Sequence, residues 1–295
     1  MGEVDGPALL LVDKPEGPTS HDVVGVARRA LGVKRIGHAG TLDPFASGLL
    51  LLCVGRATRL VEYFHLLSKC YLATAVLGVE TDTEDSTGVV TASNAGWSDV
   101  RLKEIERVAA GMVGEQEQVP PIYSARKVDG RRAYEAARAG DTVTLAPKTI
   151  TVHEFQITGV RLPEVDFSVR VSTGTYVRSL ARDLGRTLSC GAHLQSLRRT
   201  SIGPFGVESA ASLEELEAGN IGGEALRGSA RAVDWLPTRS LSSGEVSEIE
   251  QGRRIPGLPG ADDSQWPVAL VDGDRLVAIA RRQGDEIQPE KVFHG

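Results

Sequence analysis

The alternation of apolar and polar residues predicts short strands and helices in mixed order along the chain. Ala8 to Val12 and Leu49 to Val54 are apolar runs typical of buried strands, and Tyr71 to Leu77 alternates as a half-buried strand does. Apolar residues at helical spacing follow Ser20, the predicted N-cap, and stop at Gly32. Because strands and helices do not alternate strictly, the pattern favours an α+β fold over a doubly wound parallel sheet.

The middle of the chain predicts further elements of both kinds, separated by Gly- and Pro-containing turns. They are a helix capped by Ser98 that ends at Ala110, a short helix from Arg131 to Ala139, a strand from Asp166 to Ser172, a turn at Thr173-Gly174-Thr175, a helix from about Tyr176 to Leu188, and a strand from Leu194 to Ile202.

A change in composition predicts a domain boundary near Asp234. The length of 295 residues favours one large domain followed by a small one. Residues from about 204 to 240 are richer in Gly, Ser and Glu, and short apolar alternations between turn residues follow them. We therefore expect one domain over residues 1–233 and a small β-rich domain over residues 234–295.

Composition excludes several classes of protein. Hydrophobic residues make up 41% and charged residues 24%, as in ordinary globular proteins, and the longest apolar run is too short to span a bilayer. Cys53, Cys70 and Cys190 are widely spaced, which argues against a disulfide framework or a zinc cluster and predicts a cytoplasmic protein. No phosphate-binding P-loop, dinucleotide fingerprint, H-E-x-x-H or G-x-S-x-G motif is present.

Charge is distributed unevenly along the chain. The formal net charge is −6, yet residues 120–207 carry 13 Lys and Arg against 7 Asp and Glu, and residues 208–295 carry 9 against 16. A local basic face can attract phosphate even on an acidic protein. On charge alone, however, surface arginines in solvated ion pairs are the better interpretation.

Two segments could carry chemistry. The loop from Gly37 to Gly48 contains glycines, a histidine and Asp43, whose carboxylate direction is restricted by the following Pro44. Local spacing alone favours an Asp-Pro turn there. In the second segment, a strand-to-helix turn brings Tyr176 and Arg178 to a helix N-terminus, where anions are favoured. The alternative for Arg178 is a surface ion pair.

The acidic turn from Thr81 to Gly88 carries Asp82, Glu84 and Asp85. Their spacing does not match a calcium-binding EF-hand loop. We interpret them as a solvated turn, with a functional contact as the less favoured alternative.

Taken together, these segments resemble a bacterial tRNA pseudouridine synthase of the TruB type, with a tail of actinobacterial appearance. The motifs run in family order from about residue 9 to 205, and their combination is more specific than any one of them. They are Leu11-Val12-Asp13-Lys14-Pro15 with Gly17-Pro18-Thr19-Ser20, GHAGTLDPFASGLL from Gly37, Lys69 with Tyr71-Leu72-Ala73, TDTEDSTG from Thr81, Val119 to Ala125 with Lys127 and Gly130, GTYVRSLARDLG from Gly174, and Gly191-Ala192-His193 with Leu197-Arg198-Arg199.

The resemblance implies a pseudouridine synthase fold, α+β, with a mixed and mostly antiparallel sheet, a central cleft and a small PUA-like C-terminal domain. It implies isomerisation of uridine 55 in the tRNA T loop, where uracil leaves its N1–C1′ bond, rotates and rejoins through C5. No metal or cofactor is needed. The expected partner is the T stem-loop of tRNA, with no membrane contact and with a monomeric protein.

The resemblance also implies roles for individual residues. Asp43 matches the catalytic Asp and Arg178 the active-site Arg, whose guanidinium favours the charged carboxylate and lowers its pKa. Tyr71 would stack on uracil and is a candidate for removing the C5 proton. The expected substrate-binding residues are His38, which fills the space left by the flipped base, Tyr176 and Leu197, which line the base pocket, and Arg131 and Arg132, which lie on an RNA-clamping thumb at about residues 124–152.

Two other functions remain open at this stage. One is an RNA-binding or RNA-folding module whose catalysis is secondary or lost. The other, from local chemistry only, is a carboxylate hydrolase such as a nucleoside hydrolase or glycosidase. Such hydrolases usually need a second carboxylate, and the loop around Asp43 offers none nearby.

Overall fold

The structure is a computed structural model that describes residues 7–124, 127–128, 131–132, 145–257 and 267–294, with backbone only for the two dipeptides. The chain divides into two compact units. The first consists of Met1–Leu42, Leu49–His65 and Gly206–Gly295, and the second of Asp43–Gly48 and Leu66–Phe205. Within the described part of the chain, no helix has both the length and the apolar character needed to cross a membrane.

Helices and strands follow one another in mixed order. The helices are α1 Ser20–Leu31, α2 Val61–Leu66, α3 Leu102–Gly111, α4 Val177–Thr187, α5 Leu213–Glu217 and α6 Ser243–Glu250. The strands are β1 Ala8–Lys14, β2 Ile36–His38, β3 Ser47–Val54, β4 Lys69–Leu77, β5 Val79–Thr81, β6 Val90–Ser93, β7 Gly114–Gln118, β8 Lys127–Val128, β9 Arg131–Arg132, β10 Lys148–Arg161, β11 Glu164–Val171, β12 Ala192–Ile202, β13 Phe205–Gly206, β14 Ala211–Ser212, β15 Leu226–Gly228, β16 Thr238–Ser240, β17 Ile255–Pro256, β18 Val268–Asp272, β19 Arg275–Gln283 and β20 Glu286–Val292.

In the first unit, α1 packs its apolar stripe on the strands around β1. Strand β1 pairs in parallel with β14 and antiparallel with β15, while β2 pairs antiparallel with β3. Val23 and Ala27 of α1 are fully buried in one core with Leu10 and Leu52 of the strands. The strand positions and the helix agree with the periodicity of the sequence.

The cap of α1 differs from the prediction. Thr19, not Ser20, is the N-cap, because Thr19 and Asp22 form a reciprocal capping box in which each side chain accepts from the other residue's backbone N–H. Ser20 is instead the first helical residue and is buried. Its hydroxyl is thereby free to bond outside the helix.

The C-terminal part of the first unit contains a five-stranded sheet in the order β16-β18-β19-β20-β17. Val246 and Ile249 of α6 pack on its buried face together with Leu270 and Val277. The β-rich character expected for the chain after Asp234 is therefore present. The boundary itself stays a prediction.

In the second unit, an antiparallel sheet has the order β12-β4-β11-β10-β7. Ser47 and Gly48 at the start of β3 pair in parallel with Arg198 and Arg199 of β12, so the sheet is mixed and mostly antiparallel, as expected. Helix α4 packs against β12, and α3 packs against β10.

In this unit one predicted helix has a different start and cap, and another is not a helix where it is described. Ser98 caps no helix, because its hydroxyl donates to Ala95 O in a 3-10 turn, and α3 begins only at Leu102. Arg131 and Arg132 lie in β9, which pairs with β8, and do not begin a helix. Residues 133–139 of that predicted helix fall outside the described residues.

Candidate active site

The loop that carries Asp43 is held by hydrogen bonds and by backbone packing at its two ends. Leu42, just before Asp43, donates its N–H to Ser20 Oγ (2.9 Å), and Ser20 Oγ donates back to Leu42 O (3.1 Å). Ala46 N–H then closes a turn on Asp43 O at 3.1 Å. At the far end, Gly48 has φ +103°, and a Cβ there would lie 2.2 Å from Arg199 O. Only glycine fits this approach of two strands.

Arg178, in the first turn of α4, is the centre of the polar contacts around Asp43. Its side chain is 5% exposed, and its Nε lies 3.0 Å from Asp43 Oδ2. Nη1 lies 3.4 Å from Asp85 Oδ2 and donates to Thr83 O at 2.8 Å. Nη2 donates to Tyr123 O at 3.0 Å. The planar guanidinium thus spreads its donors over groups from separate parts of the chain.

The two carboxylates on Arg178 differ in their access to solvent. The side chain of Asp43 is 38% exposed and that of Asp85 is 5% exposed. The hydroxyls of Thr83 (2.7 Å) and Thr87 (2.6 Å) both donate to Asp85 Oδ1, and its other oxygen faces Arg178. Asp85 is therefore occupied by protein groups, whereas Asp43 lies beside a cation and is partly exposed.

The interpretation of the acidic turn as solvated is wrong for two of its three acids. Asp85 is buried, and Glu84 forms an ion pair with the buried Arg182 of α4. Asp82 does behave as a turn residue, since its carboxylate accepts the Val89 N–H at 2.8 Å. The spacing Thr83-x-Asp85-x-Thr87 is the sequence signal for burial of Asp85. Hydroxyls two residues away on each side can donate hydrogen bonds to a carboxylate that is removed from water.

Tyr71 and Leu197 lie on adjacent strands and on the same face of the sheet. Leu197 of β12 is opposite Ala73 of β4, and Arg199 is opposite Tyr71, so Tyr71 and Leu197 are diagonal neighbours. Both are largely buried, at 8% and 7% exposure. Arg199 also pairs with Gly48, so one row of the sheet connects the end of the Asp43 loop to Tyr71.

Tyr176 is the residue that precedes α4. Its N–H donates to Gln118 Oε1 (2.8 Å), and its C=O accepts from Gln118 Nε2 (3.1 Å). This two-way contact fixes the start of the helix that carries Arg178. Tyr176 thus belongs to the same unit as Asp43, Tyr71 and Leu197.

Positive charge collects on the sheet beside these residues. Burial lowers the pKa of Lys69 to about 8, and the nearby charges of Arg199 and Lys148 add to this effect. The ammonium of Lys148 lies against Gly174, where a Cβ would meet Nζ at 2.0 Å. The Lys69 ammonium is therefore within electrostatic reach of two other cations of the second unit.

The remaining predicted residues belong to the first unit or are described only in part. His38 ends β2 in the first unit, opposite Leu52, and its ring meets that of His21 edge-on at 5.7 Å. Arg131 and Arg132 have described backbones only. In the described ranges, no group of three or more His, Cys, Asp or Glu side chains is arranged to hold a metal ion.

Comparison with known proteins gives the family. The family model described as TruB family pseudouridylate synthase (N terminal domain) matches residues 28–177, and that of the tRNA pseudouridylate synthase B C-terminal domain matches residues 178–231. The tRNA pseudouridine synthase B of Arthrobacter sp. is 43% identical, with 97% of this chain and 96% of that protein covered. The tRNA pseudouridine synthase B of Thermobifida fusca is 43% identical, with 97% of this chain and 98% of that protein covered.

Solved structures agree with this assignment. A chain from an H/ACA RNP bound to a substrate RNA containing 2′-deoxyuridine superposes with a TM-score of 0.73, 26% identity, and coverage of 98% of this chain and 85% of that one. A chain from a Cbf5-Nop10-Gar1 complex gives a TM-score of 0.73, 28% identity, and coverage of 97% and 85%. The fold is therefore that of pseudouridine synthases, and the chain belongs to the TruB family of pseudouridylate synthases.

Proposed function

We propose that this protein converts uridine 55 in the T loop of tRNA to pseudouridine. The family of the chain and the names of its relatives support a pseudouridine synthase that acts on tRNA. The observation that carries the proposal is the Asp43 carboxylate, which is 38% exposed and held 3.0 Å from the buried guanidinium of Arg178. A carboxylate that is ionised, oriented and reachable is what cleavage of the N1–C1′ bond requires.

Asp43 acts where the glycosidic bond breaks. As uracil leaves with the electron pair of the N1–C1′ bond, positive charge develops at C1′, and an anion already fixed in place stabilises it. Arg178 keeps Asp43 charged and aimed. The detached uracil rotates and forms a C5–C1′ bond, after which the proton is lost from C5 and N1 takes up a proton, so that the neutral aromatic ring is restored. The Tyr71 hydroxyl is the group assigned to remove that proton.

The remaining assigned residues bind the substrate. The target base leaves the stack at a cost of about a few kcal/mol. Tyr71, Tyr176 and Leu197 line the pocket that receives it, and His38 fills the space it vacates. Arg131 and Arg132 contact phosphates and supply affinity that does not depend on base sequence.

The domain arrangement and the cellular setting are also part of this proposal. Residues 1–233 form the catalytic domain, with an RNA-clamping thumb at about residues 124–152, and residues 234–295 form a PUA-like domain. The protein acts as a monomer in the cytoplasm and needs no cofactor.

Hydrolysis is less well supported than isomerisation. Asp85 is a second carboxylate that shares the partner Arg178 with Asp43, but its side chain is 5% exposed and its oxygens are taken by Thr83, Thr87 and Arg178. It is therefore not available as the second acid or base that such hydrolases use.

Incubation with a T stem-loop RNA, followed by mapping of the modified position, tests the proposal. Pseudouridine at the T-loop uridine is the expected result. Binding without product would favour an RNA-binding module, and release of free uracil would favour a hydrolase. Either of these outcomes would overturn the proposed function.

A further inference from the structure

Arg182, one turn after Arg178 on α4, repeats the bonding pattern of the first arginine. Each arginine takes an acid from the turn Thr81 to Gly88 and a backbone carbonyl from the segment Val119 to Ser124. For Arg178 these groups are Asp85 and Tyr123 O. For Arg182 they are Glu84 and Val119 O, the latter at 3.1 Å. The two side chains, on successive turns of α4, therefore bind the same two segments of the second unit.

Glu84 is the residue of this turn that binds Arg182. It is a non-glycine residue with φ 63°, in the left-handed region that such residues rarely adopt. Its carboxylate pairs with Arg182 Nη1 and also accepts from Ser179 Oγ at 2.7 Å. Such a conformation costs free energy and persists where surrounding contacts determine it.

The ion pair is largely removed from water. The side chain of Arg182 is 9% exposed and that of Glu84 is 12% exposed, and Arg182 Nε also bonds Asp183 Oδ1 at 2.8 Å. Loss of one partner leaves the other charge buried, so the neighbouring backbone must move to solvate it. The residues on either side of Glu84 are Thr83 and Asp85, whose carbonyl and carboxylate hold Arg178.

We infer that the Arg182–Glu84 pair positions Arg178, and through it Asp43, for the reaction. Neither Arg182 nor Glu84 touches Asp43 in the described contacts, so both are positioning residues and not catalytic ones. The inference rests on the proposed function, because its effect is read in the rate of pseudouridine formation. Misplacement of a reacting group by about 1 Å can cost about a hundredfold in rate.

Single-turnover rates of R182M and of R186M on a T stem-loop RNA test this inference. Arg186 is a matched control, since it lies one turn further along α4 and forms a two-bond ion pair with Glu80, but its side chain is 58% exposed. We expect R182M to lose about ten- to a hundredfold in rate per active site. RNA affinity should change less than about threefold, R186M should react as the wild type does, and E84Q should fall in between.

The same substitution made in an R178K variant separates positioning from general destabilisation. If Arg182 acts through Arg178, R182M should lower the rate less than about twofold when Arg178 is already replaced by Lys, because coupled residues are not additive. The single-turnover rate constant at saturating enzyme does not depend on the fraction of active protein, so loss of folded protein does not enter the rate.

Two outcomes overturn the inference alone: a wild-type rate for R182M, or the same fold-loss in both backgrounds, each with active wild-type enzyme. An inactive wild-type protein would instead overturn the proposed function together with the inference that rests on it.

Discussion

Asp43 and Asp85 bind different nitrogens of one guanidinium, and only Asp43 leaves part of its carboxylate in solvent. Arg178 Nε meets Asp43 at 3.0 Å and Nη1 meets Asp85 at 3.4 Å, with side-chain exposures of 38% and 5%. Asp85 thus balances the buried cation, while the side chain of Asp43 stays partly exposed.

Replacement of Asp43 by Asn should remove catalysis and spare binding. The amide keeps the shape of the side chain but carries no charge with which to stabilise positive charge at C1′. We expect turnover to fall by several orders of magnitude, while RNA affinity changes little. Single-turnover kinetics and filter binding on the same preparation measure both quantities.

A matched control for this variant is D82N, which also removes a carboxylate charge. In the described contacts the Asp82 carboxylate accepts only from Val89 N–H. D82N should retain most of the activity. Near-normal turnover of D43N in purified form would contradict the assignment of Asp43.

Replacement of Arg178 by Lys should lower activity far more than RNA affinity. Lys keeps the positive charge but not the planar set of donors that reaches Asp43, Thr83 O and Tyr123 O at once. We expect a loss of about a hundredfold or more in the single-turnover rate, the scale on which misplaced groups act. A rate close to that of the wild type would mean that the planar arrangement of the Arg178 donors is not needed for the reaction.

The elements that the sequence predicted best are those with a regular apolar period. β3, β4 and β12 were predicted within a few residues of their observed bounds, and so was α4, because burial of one strand face or helix stripe leaves a direct trace in the sequence. The cap at Thr19 was missed because Thr19 and Ser20 both suit an N-cap, and the reciprocal bond to Asp22 decides between them.

The polar centre was much less predictable. The family resemblance, not local spacing, brought Asp43 and Arg178 together, and the fold it implied is confirmed by structural similarity. Asp85 was read as solvated because its burial is produced by Arg178 on a distant helix, and single charged residues leave no periodic signal. The same reason hid the pair of Glu84 with Arg182.

Lys69 should make folding stability depend on pH in the alkaline range. Its pKa is about 8 in the folded protein, mainly through burial, against 10.5 for an ordinary lysine. Between these values the unfolded chain binds more protons than the folded one, so the free energy of unfolding rises with pH. Below pH 8 both states are protonated, and the buried charge destabilises the fold.

The K69M variant removes this titration. The wild-type free energy of unfolding, minus that of K69M, should rise between about pH 8 and 10.5 and be flat below about pH 7. Urea unfolding at several pH values measures it. K103M, at an exposed position on α3, is the control and should give no such rise. A flat difference for K69M across the whole range would contradict the burial of this ammonium.

Neutralisation of Arg131 and Arg132 by Gln should weaken RNA binding and flatten its dependence on salt. Under the proposed function both residues contact phosphates of the T arm. When a contact is lost, RNA binding releases fewer counterions. The slope of log K against log salt should therefore decrease in magnitude by about 0.7–0.9 per contact. The turnover rate at saturating RNA should change much less, since neither residue is assigned to the chemistry.

The C-terminal arginines provide the comparison for this thumb variant. Deletion of residues 234–295 is a poor test, because Val292 O accepts from Arg59 and Glu290 bonds Tyr63 within the first unit. Arg253 and Arg254 can be changed to Gln instead, and both are already paired with acids, Glu248 and Glu286. Because local pairing reduces the charge they offer to RNA, this double variant should lose less affinity and slope than the thumb variant. An unchanged slope on loss of Arg131 and Arg132, or a larger loss from the C-terminal pair, would place the main phosphate contacts outside the thumb.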